Sequence, residues 1–85
     1  MSADNGIYIA KRNAVYYIAY GQAVENLYYH SKGSPQRERT FNKFFSGSLH
    51  ASNGETALNY ATDMSKDYVY LEYGIVYLGD FDDWE

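Results

Sequence analysis

Two runs rich in β-branched and aromatic residues, GIYIAKR at 6–12 and VYYIAYG at 15–21, are separated by a short polar turn at 12–14. Such a pair constrains the fold more than any other feature of this chain, because two strand-like runs this close in sequence have little choice but to form a β-hairpin. Ile7 and Ile9 alternate with Tyr8 and Ala10, and Tyr16, Ile18 and Tyr20 alternate with Val15, Tyr17 and Ala19. One face of the hairpin is therefore predicted to pack on helices.

Downstream, GQAVENLYYHSK at 21–32 places Ala23, Val24, Leu27 and Tyr28 on one stripe and predicts a short amphipathic helix. SPQRERTFNKFF at 34–45 reads as a helix with Ser34 as cap and Pro35 at the first helical position, or else as an ordered loop. In the helical reading Phe41, Phe44 and Phe45 fall at i, i+3, i+4 and face inward over a solvated basic side. A further helix is predicted over about 53–66, with Ser52 and Glu55 as a capping box and Ala57, Leu58, Ala61 and Met64 on the inward face. The run YVYLEYGIVYL at 68–78 reads as a strand carrying Val69, Leu71, Tyr73, Ile75 and Tyr77 on one face, with Gly74 at a bend or bulge. The order is β-β-α-(α)-α-β. It predicts an α+β domain spanning 1–85, a three-stranded antiparallel sheet with two or three helices on one face.

A chain of 85 residues without cysteine has neither disulfides nor thiolate metal sites to reinforce a small core. Eleven tyrosines exceed what such a core can hide with every hydroxyl satisfied, so several are expected at the surface, where tyrosine supplies rigid contact area to partners. No stretch approaches the roughly 18 apolar residues of a membrane span, and the start MSADNGIYIA has neither the basic nor the apolar region of a signal peptide. The expectation is a protein that stays in the compartment where it is made, with no membrane partner.

Charge is unevenly laid out along the chain. Lys32, Arg37, Arg39 and Lys43 outweigh Glu38, whereas Asp67, Glu72, Asp80, Asp82, Asp83 and Glu85 are joined by no base from position 67 onward. The net charge of -4 argues against direct nucleic-acid binding, although Phe41, Phe44 and Phe45 among the bases of 37–45 leave a nucleic-acid patch as an alternative to the packed helix.

Catalytic patterns are sparse. His30 and His50 lie in no metal-ligand spacing, the carboxylates of DFDD lack the calcium-loop pattern, and the glycines form neither a phosphate loop nor a dinucleotide fingerprint. Solvated histidines and a solvated acidic end are the simpler readings. The chain is expected to be non-enzymatic and to need no cofactor or metal.

At MSADNGIYI, GQAVENLYY and LEYGI the chain resembles a group of short bacteriophage-encoded proteins that open on the same near-constant start. The group carries no agreed chemistry; the resemblance implies a phage product acting in the host bacterial cytoplasm. Many phage proteins of this size inhibit host machinery, anti-CRISPR proteins among them. The resulting expectation is an inhibitor that blocks a basic nucleic-acid-binding site on a host complex. It would do so through Tyr70, Glu72, Tyr73, Tyr77, Asp80, Phe81, Asp82, Asp83, Trp84 and Glu85, the aromatics anchoring and the carboxylates complementing the basic surface. The alternatives are a homo-oligomeric accessory or scaffold protein, a homodimer in the simplest case, whose acidic and basic segments meet between copies, and a small-ligand or nucleotide binder.

Overall fold

The computed structural model describes residues 5–22 and 33–83. Strands β1 (Asn5–Arg12) and β2 (Val15–Gln22) form the hairpin, paired from Asn5 with Gln22 to Arg12 with Val15. That register leaves a two-residue loop, and both loop residues adopt the left-handed conformation, Asn13 at φ 53 and Ala14 at φ 64. Two positive φ angles match the right-handed twist of the flanking strands, but alanine carries a steric penalty at the second. Ala14→Gly is therefore expected to stabilise the domain by about 0.5–1 kcal/mol, read as a higher urea midpoint.

Helix α1 (Pro35–Phe44) starts as its sequence dictates. Ser34 caps it, its Oγ accepting from the Arg37 amide at 3.2 Å, and Pro35 occupies the first turn, where its missing N–H costs nothing. After β3 (Leu49–Ala51) comes α2 (Gly54–Ser65). Its cap is Asn53, whose Oδ1 accepts from the Thr56 amide at 2.8 Å, and not Ser52 as the capping-box spacing suggests. Both residue types cap helices, and the sequence places them side by side. Asn53→Ala should cost about 1 kcal/mol while Ser52→Ala costs much less; equal thermal melts for the two variants would contradict this start.

Strand β4 (Ile75–Asp80) completes a four-stranded sheet in the order β3-β2-β1-β4, followed by a 3-10 turn over Phe81–Asp83. The expected class, α+β, holds, but the sheet is mixed rather than antiparallel and has one strand more than predicted. β3 pairs antiparallel with β2, and β4 runs parallel to β1. The cause is parity. Inserting the short β3 reverses the chain once more, and α2 then carries it across the sheet to the far edge, as a parallel pair requires.

Residues 68–74 are not strand, although their composition favours one. Gly74 (φ 65) lies at their end, immediately before β4, rather than at a bend within a longer strand. The irregularity of β4 falls further on. Tyr77 pairs with Ile9 and Gly79 with Ala10, so Leu78 is the extra residue, and Gly79 takes φ 83.

Both faces of the sheet are covered, which corrects the expectation of helices on one face. Tyr8, Ala10 and Ala19 pack with Phe41, Phe45 and Phe81, with Tyr17, Phe44, Val76 and Leu78 around them; this is the α1 side. Ile7, Ile9 and Ile18 pack with Ala51, Ala57 and Ala61, and with Tyr16, Tyr20, Met64, Tyr68 and Leu71; this is the α2 side. The inward Phe41, Phe44 and Phe45 of the helical reading are found, and Phe44 settles against Gly21, where even a methyl group would sit 2.3 Å from its ring. The basic side of α1 is not wholly solvated, because Arg37 is buried. The helix predicted over 21–32 lies outside the described residues beyond Gln22.

Candidate protein-docking surface

The residues expected to bind a partner are distributed along one edge of the sheet, at either end of β4. Tyr70 and Tyr73 lie in the segment 68–74 that leads into it, 62% and 51% exposed, and Tyr77 on β4 itself is 59% exposed. All three rings offer their area to solvent. Asp80 closes the strand half-buried, and Asp82 and Asp83 are exposed in the turn beyond. With six residues rising roughly 3.3 Å each, β4 separates the aromatic end from the acidic end by about 20 Å.

The irregular segment 68–74 is held in place by Asn5, a residue that the sequence gives no reason to single out. Buried at the start of β1, Asn5 donates from Nδ2 to the Tyr70 carbonyl at 2.8 Å and accepts at Oδ1 from the Glu72 amide at 2.8 Å. Its own carbonyl accepts from the Tyr73 amide at 3.0 Å, and the Ile7 amide donates to the Gly74 carbonyl at 2.8 Å. One asparagine thus does for this segment what a strand ladder would otherwise do. Tyr68 stacks on Tyr20 with centroids 4.2 Å apart and planes 7° apart, and Leu71 joins the α2-side core. With Tyr68 and Leu71 turned inward, Tyr70 and Tyr73 are displayed from an anchored backbone.

At the other end, Asp80 accepts at Oδ1 from the Asp82 amide at 3.1 Å, so one of the expected binding carboxylates also shapes the turn that presents the next two. Phe81 departs from expectation. It is 7% exposed, its ring 4.5 Å from that of Phe41, and the Arg12 guanidinium lies over it at 4.5 Å while also meeting Phe41 at 5.3 Å and pairing with Glu38. That environment makes Phe81 a core residue rather than a surface anchor. Glu72 is half-buried, and Trp84 and Glu85 lie outside the described residues.

Beside Tyr77 the α2 side of the sheet carries a cleft of about 290 Å³, lined by Ile9, Tyr16, Gly54, Ala57, Leu58 and Tyr77. Sequence periodicity puts Leu58 on the inward face of α2, yet it is 52% exposed, while Ala57 and Ala61 meet the sheet. The reason is steric: α2 approaches through its two small residues, and the larger side chain beside them is left at the rim. Tyr16 and Tyr77 face each other across the cleft at 6.5 Å between centroids, and Lys11 Nζ stands 5.5 Å from the Tyr16 ring. No signal in the sequence links these residues.

Of the histidines, His50 packs edge-on against Tyr17 at 4.7 Å, and His30 lies outside the described residues. Among the described residues no three His, Asp or Glu side chains gather into a group able to hold a metal ion, and no helix is long and apolar enough to cross a membrane. No protein-family model, curated protein or solved structure matches the chain.

Proposed function

We propose that this chain is a non-enzymatic binding module that docks on a basic protein surface through the β4 edge. Tyr70, Tyr73 and Tyr77 serve as anchors, and Glu72, Asp80, Asp82 and Asp83 as the complementary charge. The observation that carries this reading is the combination on one edge of three half- to two-thirds-exposed tyrosines with four carboxylates, against which β1 sets Lys11 in register with Asp80. Solvent-facing tyrosines held by an ordered backbone lose little entropy on contact, and carboxylates steer a positively charged partner to the surface. A phage-encoded inhibitor of a host defence complex, of the anti-CRISPR type, is one form of this activity: the acidic edge would occupy a channel built for nucleic-acid phosphates. The resemblance at MSADNGIYI, GQAVENLYY and LEYGI bears on the phage origin in that form and not on the activity.

The other readings have less in their favour. Burial of Arg37 leaves Arg39 and Lys43 as the exposed cations of α1, which reduces the charge available for an acidic-to-basic assembly between copies. The lining of the cleft beside Tyr77 carries no charge of its own, only Lys11 standing at the Tyr16 ring, which is little to hold a nucleotide's phosphates.

The test is capture from bacterial lysate by the immobilised chain, with and without competing duplex DNA. Proteins retained by the parent, displaced by DNA and lost on reversing Asp80, Asp82 and Asp83 to Lys would support the reading. The reversed variant should lose chiefly association rate, and Tyr77→Ala should speed dissociation. Identical capture by parent and both variants would end it.

A further inference from the structure

β4 lies at the end of the strand order, so its pairing with β1 uses one side of its backbone; among the described residues the other side has no strand partner. Open edges are usually blunted by lysine, proline or a bulge. β4 contains neither Lys nor Pro, and its bulge, at Leu78 and Gly79, disturbs the far half only. Residues 75–77 remain a regular template. Ile75 and Tyr77 stand exposed on its α2-side face, and the apolar cleft opens beside Tyr77. An edge that offers main-chain groups, with a pocket adjoining it, is the arrangement by which sheets bind extended peptides: the backbone supplies affinity and the pocket selects a side chain.

We propose that β4 accepts an extended, positively charged segment of a partner protein as a fifth strand, with one aromatic or aliphatic side chain of that segment entering the cleft between Tyr16, Leu58 and Tyr77. The inference rests on the docking reading above and specifies its partner. Charge selects the occupant. Glu72 precedes the template and Asp80, Asp82 and Asp83 follow it; Lys11 of β1, in register with Asp80, offsets one of these four charges and leaves the edge acidic. A second copy pairing through its own β4 would bring two such sets of carboxylates together, and like charges across an interface are repelled. A lysine-rich strand meets the opposite situation. It would lie about 4.8 Å beyond β4, near enough for an aromatic side chain to cross the Tyr77 ring into the cleft.

The experiment uses the parent chain and a synthetic heptapeptide of alternating lysine and valine with phenylalanine at its centre. Two further versions carry N-methyl groups on alternate backbone nitrogens, one on the odd and one on the even positions. N-methylation removes main-chain hydrogen bonds without altering side chains or charge, and it leaves the protein untouched. The expected result is binding of the unmodified peptide, slowed amide exchange within residues 75–77, and a loss of tenfold or more for at least one methylated version. Replacing the central phenylalanine by alanine should cost at least fivefold.

Equal binding of all three backbones overturns strand addition. If the Asp80, Asp82 and Asp83 reversal still abolishes that binding, docking by charge survives while strand addition falls. A reversed variant that binds every peptide as the parent does overturns the docking reading instead. Failure of the parent to bind the unmodified peptide overturns the inference, as does a concentration-dependent dimer whose 75–77 amides are already protected without peptide.

Discussion

Phe41→Ala should destabilise the domain by about 3–5 kcal/mol, a large share of the roughly 5–15 kcal/mol that holds a domain of this kind together. Phe41 is 3% exposed and is the ring on which the α1 side converges: Tyr17 meets it edge-on at 5.6 Å, Phe45 at 4.7 Å and Phe81 at 4.5 Å. Truncation removes these contacts and leaves a cavity between a helix and a sheet whose backbones cannot close on each other without moving the remaining rings. Phe41→Leu, which keeps most of the volume, should lose far less, and urea denaturation followed by circular dichroism would rank the pair. Phe81→Ala belongs to the same cluster and should lower the midpoint similarly, whereas a surface anchor would leave it unchanged. A parent-like midpoint for Phe41→Ala would mean that α1 does not cover this face, and the layered arrangement would be wrong.

The second large effect is expected at Asn5. Asn5→Ala removes both side-chain hydrogen bonds to 70–72 and leaves the Tyr70 carbonyl and Glu72 amide without them, at a cost of about 2–4 kcal/mol. At about 4–8 °C of melting temperature per kcal/mol for a domain of this size, the shift is large. Asn5→Asp is the sharper variant, since it keeps the shape but turns the donor that faces the Tyr70 carbonyl into an acceptor. It should be at least as damaging as alanine although almost no volume changes. Loss of the clamp also has a local signature: amides of 70–74 should exchange faster in either variant before the rest of the sheet does. If both substituted chains melt and exchange like the parent, 68–74 is held by Tyr68, Leu71 and the main-chain bonds of Tyr73 and Gly74 without the Asn5 side chain.

The parts of this fold that sequence reveals are those decided locally. The hairpin follows from two strand-like runs at close spacing and α2 from its apolar periodicity to within one residue at either end, whereas Ser34, Pro35 and three phenylalanines at helical intervals leave 34–45 open between helix and loop until packing on the sheet decides for α1. β3 is three residues, Leu-His-Ala, too short to alternate visibly, and without it the direction expected of β4 is inverted. The second covered face is concealed by residue type. Tyr8 and Ala10 look tolerable in water, yet both are buried, and an unbroken buried run through the first six residues of β1 is the mark of a strand with layers on both sides. At the docking edge the acidic residues and tyrosines are legible because composition alone marks them. The clamp is not, since Asn5 acts on main-chain atoms 65 and more residues away. Phe81 misleads for a related reason: its neighbours in sequence are carboxylates, but its neighbours in space are Phe41 and Arg12.

The parallel pairing of β1 with β4 also sets the order in which the molecule can assemble. β1 acquires β2 at once, through a two-residue turn, but its other neighbour arrives only when Ile75 reaches Ile7, nearly the whole described chain later. Closing so long a loop is entropically expensive and slow compared with forming the hairpin or either helix. During synthesis, one side of the most buried strand therefore waits unpaired while α1, β3 and α2 are still emerging. Correct folding then depends on β4 reaching that edge before a strand from another molecule does.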